Sequence, residues 1–263
     1  MATVKDIIDV IERYAPPALQ ESWDNTGLQI GHRDMEVTGV LTCVDVTPER
    51  IDEAVSHGAN MIVSHHPLLF RGLKNVTGDS NVQLAVEKAI VNRVAVYSSH
   101  TATDSTVGGV SAVMAEKLGA TVVSPLVPSS PGASTGLGVI AELAESVTPA
   151  QFVEMTKQAF GNAMVRTTNQ ALAPREIRRI AMCGGAGDDM IDRAIAAGAQ
   201  AYVTGELRYH HFVDYAPYIL LVDCGHYETE CATRTVFKNL LKDEFSDLKI
   251  IESTTENNPV TYI

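Results

Sequence analysis

Histidines and carboxylates follow several short apolar runs of this chain. His65 and His66 follow the apolar run Met61–Val63, with Ser64 between them and the run. Successive side chains of a strand point to opposite sides, so the two imidazoles could serve two metal ions. Alternatively, one could bind a metal while the other forms a wall of the site. Taken alone, the pair is more typical of solvated or capping histidines, and a metal-binding role depends on which other ligand-type residues the fold brings close.

Other apolar runs also lead into residues of the types that bind metals. The run 94–99 leads into His100 and Asp104, and the run 219–223 leads into His226 and Glu230. His226 and Glu230 are four residues apart, so they share one face of a helix that begins there. Imidazoles mixed with carboxylates suit Zn, Mn, Fe(II), Co or Ni, and carboxylates can bridge two such ions. The pattern predicts a dinuclear metal site.

Glu206, His210 and His211 follow a further apolar run, and their residue types allow more than one role. Glu206 is a candidate base or a residue lining the site, and equally a neighbour of a helix start. At least one of His210 and His211 is expected to be a packing residue. His100 is a candidate proton shuttle or partner of a ligand, and equally a strand-end histidine in a hydrogen bond. His100 and Glu206 are therefore the candidate catalytic residues.

Two further motifs favour structural roles. Trp23-Asp24-Asn25 precedes Gly27 and favours a turn. The segment 184–189, GGAGDD, opens a helix as phosphate-binding loops do, but it lacks the lysine of a Walker loop. Its two aspartates would repel phosphate and suit a helix cap. We expect this loop to be structural.

Strand-like and helical runs alternate in the first half of the chain. Strands are predicted over 37–46, 60–66 and 94–100, and helices over 48–58 and 82–92. This order is typical of an α/β fold with mainly parallel sheets flanked by helices. Ligands of open α/β sheets bind beyond the carboxyl ends of the strands, where the candidate ligands stand.

The pattern returns 140 residues later. Residues 40–66 align without a gap on 180–206, with seven of 27 positions identical. The alignment places Glu206 opposite His66. We infer an internal duplication that produced two similar α/β domains, each with ligand-type residues at its strand ends.

The predicted domain limits come from composition. The segment 124–136 is rich in proline, serine and glycine and indicates a boundary. The first α/β domain is predicted over 1–126 and 222–263, and the second over 127–221. Within the second, 148–161 predicts a helix that Thr148 caps and Gly161 ends.

Composition restricts the protein class. The 263 residues carry a formal charge of −12, which disfavours nucleic-acid binding through a basic face. No apolar run is long enough to span a membrane. The start predicts an amphipathic helix, capped by Thr3 and stopped by Pro16-Pro17, rather than a signal peptide. The four cysteines form no CxxC pair and suit buried positions, so a cytoplasmic location is predicted.

Five motifs resemble one known family across nearly the whole chain. They are ESWDNTGLQIG (21–31), VSHHPLLFRGLK (63–74), YSSHTATD (97–104), AYVTGELRYH (201–210) and GHYETE (225–230). In these motifs and their order the chain is similar to the Nif-three-like family, often described as GTP cyclohydrolase I type 2 homologues. It lacks the inserted domain of longer members, and Ala102-Thr103 stand where the family commonly has an asparagine and an apolar residue.

The resemblance implies a particular ligand set and assembly. By motif, the metal ligands would be His65, His66, Asp104, His226 and Glu230, with Glu230 bridging two divalent ions. The family also implies a toroidal homohexamer whose sites face the central cavity.

The predicted function is the hydrolysis of a small-molecule substrate. This hydrolysis would depend on two divalent metal ions, and His100 or Glu206 would move protons. The alternative is a non-catalytic metal chaperone, metal insertase or scaffold. The sequence does not select GTP as the substrate.

Overall fold

The chain folds into two compact units in a computed structural model that describes residues 2–162 and 164–261. The first unit contains Met1–Thr106 and Thr233–Asn257, and the second contains Val107–Ala232 and Asn258–Ile263. Each unit has one sheet flanked by helices, which confirms the α/β prediction. None of the helices in these described ranges has the length and apolar character needed to cross a bilayer.

The elements are numbered along the chain. The helices are α1 (Val4–Tyr14), α2 (Pro48–Ser56), α3 (Asn81–Val91), α4 (Thr101–Ser105), α5 (Val110–Lys117), α6 (Pro149–Phe160), α7 (Ile191–Ala196), α8 (Tyr209–Tyr215), α9 (His226–Glu230) and α10 (Thr233–Glu244). The strands are β1 (Gly27–Ile30), β2 (Gly39–Cys43), β3 (Met61–Ser64), β4 (Ala95–Ser98), β5 (Thr121–Pro128), β6 (Gly136–Val147), β7 (Arg166–Thr167), β8 (Ile177–Met182), β9 (Ala201–Thr204), β10 (Leu220–Asp223) and β11 (Lys249–Glu252). Pro17–Leu19 and Asp188–Met190 form short 3-10 turns.

The sheet of the first unit has the strand order β1-β4-β3-β2-β11. Strands β11, β2, β3 and β4 run parallel, and β1 pairs antiparallel with β4 at the edge. Alternate side chains enter two separate cores. Met61 and Val63 pack with α1 and α10, whereas Ile62 packs with α2 and α3 on the other face. Because both faces are covered, these strands are continuous apolar runs.

The sheet of the second unit has the order β5-β6-β8-β9-β10-β7. Its centre, β8, β9 and β10, is parallel, whereas β5, β6 and β7 add antiparallel pairs. This sheet is therefore mixed, which differs from the expectation of mainly parallel sheets. The parallel centre alone resembles the first unit.

The proline-rich segment 124–136 belongs to a hairpin and is not a linker. Most of it lies in β5 and in the turn that leads into β6 at Gly136. Pro125 and Pro128 are tolerated because β5 is an edge strand, where a missing N–H costs no ladder bond. By their contacts, residues 107–126 and 222–232 group with the second unit, unlike in the predicted limits. Residues 222–232 belong to the second unit because β10, which reaches Asp223, pairs with β9.

The elements recur at the offset found in the sequence. Adding 140 to β3 gives Ala201–Thr204, which is β9, and adding 140 to α2 gives the turn and helix over 188–196. The predicted helices at the start of the chain and at 148–161 are confirmed. Thr3 and Thr148 each form a capping box, and Gly161 ends α6 in the left-handed conformation.

A buried carboxylate fastens the end of the first unit's sheet. Glu53 on α2 accepts hydrogen bonds from Ser253 Oγ (2.6 Å), Thr254 N (2.8 Å) and Thr255 Oγ1 (2.7 Å). Burial of Glu53 acts to raise the pKa of its carboxyl, but these donors outweigh burial and lower that pKa from 4.5 to about 2. The charged form is therefore the one that stabilises the fold.

Replacing Glu53 by glutamine should remove a pH-dependent share of stability. Because the folded pKa is below the unfolded one, this share is complete above about pH 4.5 and is lost as the pH falls towards 2. At pH 7, Glu53→Gln should lower the free energy of unfolding by about 3 kcal/mol. Urea denaturation at pH 7 and pH 3 measures the difference, which should be about half as large at pH 3.

The exposed Glu87 on α3 provides the matched control, because Glu87→Gln removes a carboxylate that accepts no such set of bonds. A difference between Glu53→Gln and wild type that stays constant from pH 7 to pH 3 would contradict this interpretation.

Candidate metal centre

Three imidazoles of the first unit lie together beyond the ends of β3 and β4. The backbone N–H groups of His65 and His66 donate to Cys43 O and Val44 O, so the parallel ladder continues through both histidines. The ring centroids of His65, His66 and His100 are 5.0 to 5.4 Å apart. One ring nitrogen from each lies within 4.8 Å of the others. The structure thus brings the predicted pair together with His100.

Each of these rings is held at Nδ1 by an oxygen acceptor. The partners are the Ser99 carbonyl for His65 (3.3 Å), Asp45 Oδ1 for His66 (2.9 Å) and Asp24 Oδ1 for His100 (2.9 Å). An oxygen acceptor at Nδ1 favours the tautomer that carries its proton there, which leaves the lone pair on Nε2. This is the arrangement of histidines that bind metals through Nε2.

Asp104 completes the first-unit set, which we define as His65, His66, His100 and Asp104. It lies in α4, whose first turn is closed by the Thr103 and Asp104 N–H groups donating to His100 O. Its Oδ1 is 3.7 Å from His65 Nε2. His65 is fully buried and Asp104 is half-buried. A carboxylate and an imidazole lone pair therefore face the same small volume.

The second-unit set consists of Glu206, His226 and Glu230. His226 and Glu230 are one turn apart on α9, with His226 Nε2 2.9 Å from Glu230 Oε2. His226 Nδ1 lies 3.0 Å from Glu206 Oε1. Glu206 therefore orients His226 in the way that Asp45 orients His66, which gives a physical role to a residue that the sequence left between two interpretations.

The glycine-rich loop 184–189 seats Glu230. Gly185 has φ +61°, and a Cβ there would lie 2.2 Å from Glu230 Oε1 and 3.2 Å from His226 Nε2. Its N–H donates to Thr229 Oγ1 (3.1 Å) on α9. The loop was predicted to be structural. Its role is to make room for the two candidate ligands, because Gly185 has no side chain.

Sequence reasoning missed the two aspartates that hold His66 and His100. Asp24 was expected only to build a turn, yet its buried carboxylate also accepts from Thr101 N (3.0 Å). Burial acts to raise the pKa of Asp24, but the bonds with His100 and Thr101 hold it well below its usual range. For Asp45 a signal existed, since it follows the end of β2, the parallel neighbour of the strand that carries His66.

The remaining candidates have structural surroundings. His211 Nδ1 accepts from Arg208 N (3.1 Å) at the start of α8, and its Nε2 is 3.8 Å from Asp188 Oδ2. His210 is exposed and packs against Tyr209, with ring centroids 5.4 Å apart. Cys43, Cys183 and Cys224 are buried, as expected, and Cys231 is half-buried. Burial raises the pKa of the Cys43 and Cys224 thiols.

The donor chemistry of both sets fits a first-row divalent metal ion. Imidazole nitrogens with lone pairs on Nε2, next to carboxylate oxygens, are ligands that Zn, Mn, Fe(II), Co and Ni share. The fold and the clustered histidines and carboxylates thus define an α/β protein with groups that could bind metal.

A family model confirms the resemblance found in the motifs. Residues 2–259 match the family described as Duf34/NIF3 (NGG1p interacting factor 3), and the chain belongs to this family.

Individual relatives agree along the whole chain. The chain is 32% identical to a GTP cyclohydrolase 1 type 2 homolog of Clostridium perfringens, an alignment that covers 99% of both proteins. It is 30% identical to the protein NIF3 homolog of Schizosaccharomyces pombe, over 96% of this chain and 95% of the relative. Among solved structures, Staphylococcus aureus protein SA1388 superimposes with a TM-score of 0.89 at 27% identity, covering 100% of this chain and 99% of that one.

Adding a methyl group at Gly185 should impair metal binding by the second-unit set. The Cβ of Gly185→Ala would displace the Glu230 carboxylate, so Zn²⁺ affinity, measured by competition with a chromogenic chelator, should fall at least about tenfold. Gly198→Ala is the matched control, because Gly198 also has positive φ (+76°) but no heavy atom within 4 Å of an added Cβ. Equal affinities in the two variants would show that the clash at Glu230 has no bearing on metal binding.

Proposed function

We propose that this protein binds two divalent metal ions through His65, His66, Asp104, His226 and Glu230 and hydrolyses a small-molecule substrate with them. The observation that carries the proposal is shared by His65, His66, His100 and His226. Each has Nδ1 held by an oxygen acceptor, which leaves Nε2 as the nitrogen that could bind a metal ion. A chance group of surface histidines would have no reason to repeat this arrangement.

The proposed ligand set is the one that the family resemblance implies. The first-unit set offers His65, His66 and Asp104, and the second-unit set offers His226 and Glu230. Two ions with at least three protein ligands each need about six ligand atoms. The family resemblance implies that Glu230 bridges the ions, and a bridging carboxylate provides two of those atoms.

Bound divalent ions would polarise a carbonyl or phosphoryl oxygen and activate water. The chain's own residues account for proton movement. His100 is fixed by the buried Asp24, so its Nε2 is the atom that would accept a proton from water or substrate. We propose His100 as the general base, and we propose that Glu206 acts by orienting His226. The names of curated relatives make GTP one candidate among several substrate classes.

Metal content and turnover test the proposal together. Purified wild-type protein should contain about two first-row metal ions per chain by elemental analysis, and Asp104→Ala and Glu230→Ala should each lose at least one. The wild type should hydrolyse at least one member of a panel of GTP, a nitrophenyl phosphodiester and dihydrouracil, and both variants should lose about 100-fold or more in kcat. Val91→Ala, on the exposed end of α3, is the control that should change neither quantity.

A metal-loaded wild type that turns over none of these compounds while it exchanges metal rapidly would overturn the enzymatic part. The non-catalytic alternative of metal delivery or scaffolding would then be favoured. A single ion, bound as well by Glu230→Ala as by wild type, would overturn the dinuclear part.

Asp24 should control catalysis through His100. An amide in Asp24→Asn can donate to His100 Nδ1, which shifts the ring proton to Nε2 and removes the acceptor that faces the reaction. We expect kcat to fall about 100-fold with KM and metal content nearly unchanged. Circular dichroism checks that the variant folds, because Asp24 also holds Thr101.

The double variant Asp24→Asn, His100→Ala separates orientation of His100 from a general structural effect. If Asp24 acts through His100, the double variant should be no slower than His100→Ala. Losses that multiply would refute the orienting role.

The assembly as a homohexamer and the cytoplasmic location stay predictions that rest on the family resemblance and on composition, respectively. The proposed ions belong to the group Zn, Mn, Fe, Co and Ni, whose ligand preferences the donor set fits.

A further inference from the structure

Two large aromatic side chains of the first unit are exposed beside the imidazole cluster. Trp23 is 58% exposed and Phe70 is 46% exposed. Their ring centroids are 5.9 Å apart, with the planes at 71°. Exposed aromatic side chains that lie together, rather than singly, mark binding surfaces. We call Trp23 and Phe70 the aromatic pair.

The loops that carry the aromatic pair are fastened to each other. Asn25 Nδ2 donates to Leu69 O (2.8 Å), and Leu69 N donates to Gln29 Oε1 (3.1 Å). Gln29 Nε2 in turn donates to Asn25 O (2.7 Å). These residues are the close sequence neighbours of Trp23 and Phe70. The backbone that follows Trp23 is therefore tied to the backbone that precedes Phe70, which holds the two rings in a set arrangement at the surface.

The aromatic pair lies against the residue proposed as the general base. His100 has its ring centroid 6.1 Å from that of Trp23 and 6.3 Å from that of Phe70, in edge-to-face arrangements. A molecule that stacks on an exposed face of the pair would thus lie within a few ångströms of His100.

We propose that the aromatic pair binds a planar heteroaromatic ring of the substrate and so selects substrates that carry one. The inference rests on the proposed function, which it deepens by giving the substrate class. Stacking on aromatic side chains is tolerant of ring substituents and stabilises a bound base by about 1–3 kcal/mol, or roughly 5- to 150-fold in affinity. The remainder of the substrate would carry the group that the metal ions bind.

Ring-bearing and ring-free ligands of equal charge test the inference. The probes are guanosine monophosphate and ribose 5-phosphate, both of which offer a phosphate to metal. Trp23 is the sole tryptophan of the chain, so its emission, excited at 295 nm and corrected for absorbance with a free tryptophan analogue, reports on the site directly. Guanosine monophosphate should quench Trp23 and bind the metal-loaded protein at least about tenfold more tightly than ribose 5-phosphate.

Substitutions in the aromatic pair should remove the preference for the probe that carries a ring and leave the binding of ribose 5-phosphate unchanged. Phe70→Leu, followed by Trp23 emission, and Trp23→Leu, followed by calorimetry, should lower guanosine monophosphate affinity about tenfold or more towards that of ribose 5-phosphate. Phe70→Tyr should keep the preference, because it keeps a ring. Tyr218→Leu is the matched control: Tyr218 is 65% exposed and lies before the start of β10, the opposite end of that strand from His226. It should bind both probes like the wild type.

Three outcomes overturn the inference without deciding the proposed function. The first is equal affinity for the two probes in a protein that holds its metal ions. The second is an unchanged preference in Phe70→Leu and Trp23→Leu. The third is a Trp23 emission already shielded from acrylamide in the ligand-free protein, which would mean that another copy of the chain covers the pair. Loss of metal binding in Glu230→Ala, by contrast, tests only the proposed function.

Discussion

The candidate metal centre depends on one repeated interaction, the contact between a histidine Nδ1 and an oxygen acceptor. An imidazole can present either nitrogen as a lone pair, and without a partner at Nδ1 it would change tautomer and rotate. The Ser99 carbonyl and the carboxylates of Asp45, Asp24 and Glu206 remove that freedom from four rings. The result is a set of rings that are held in place before any ion arrives, which is what preorganised metal binding requires.

The acceptors are in turn held by the fold. Asp45 follows the end of β2, and its N–H donates to the buried carboxylate of Glu256 (2.9 Å), which also accepts from Val44 N (3.0 Å). Three residues before Glu256, Ser253 donates to Glu53. The segment that runs on from β11 therefore fixes the strand end from which Asp45 reaches His66. On the other side, Asp24 is positioned by Thr101, the first residue of α4.

The sequence predicted those elements whose signal lies within one continuous stretch of residues. Strands that are buried on both faces are uninterrupted apolar runs, so β2, β3, β4 and the ligands that follow them could be found from sequence. The helix over Pro149–Phe160 was predictable because its cap residues act locally. Pairing at a sheet edge is not local, so the proline-rich β5 was mistaken for a boundary between domains.

Hydrogen-bond partners far apart in sequence were also beyond prediction. Asp24 and His100 are 76 residues apart. A short polar loop with an aspartate is typical of a turn, whether or not the aspartate also accepts a hydrogen bond from a distant histidine. The same holds for Gly185, whose need for a missing side chain arises only from Glu230 on another element. The family resemblance provided the ligand set, whereas the residues that orient the ligands came from the structure.

The discontinuity of the first unit sets an order on its assembly during synthesis. The second unit draws all of its strands from residues 121–223, which leave the ribosome as one continuous stretch. The first unit needs α10, β11 and the segment 253–256, which are made after the strands of the second unit, although His65 and His66 are made early. Chains fold domain by domain as they emerge. Until residues 249–256 are made, β2 therefore has no partner on its β11 side, and Asp45 lacks the Glu256 carboxylate that accepts from its N–H. In a nascent chain the acceptor of His66 would be present but not yet held in place.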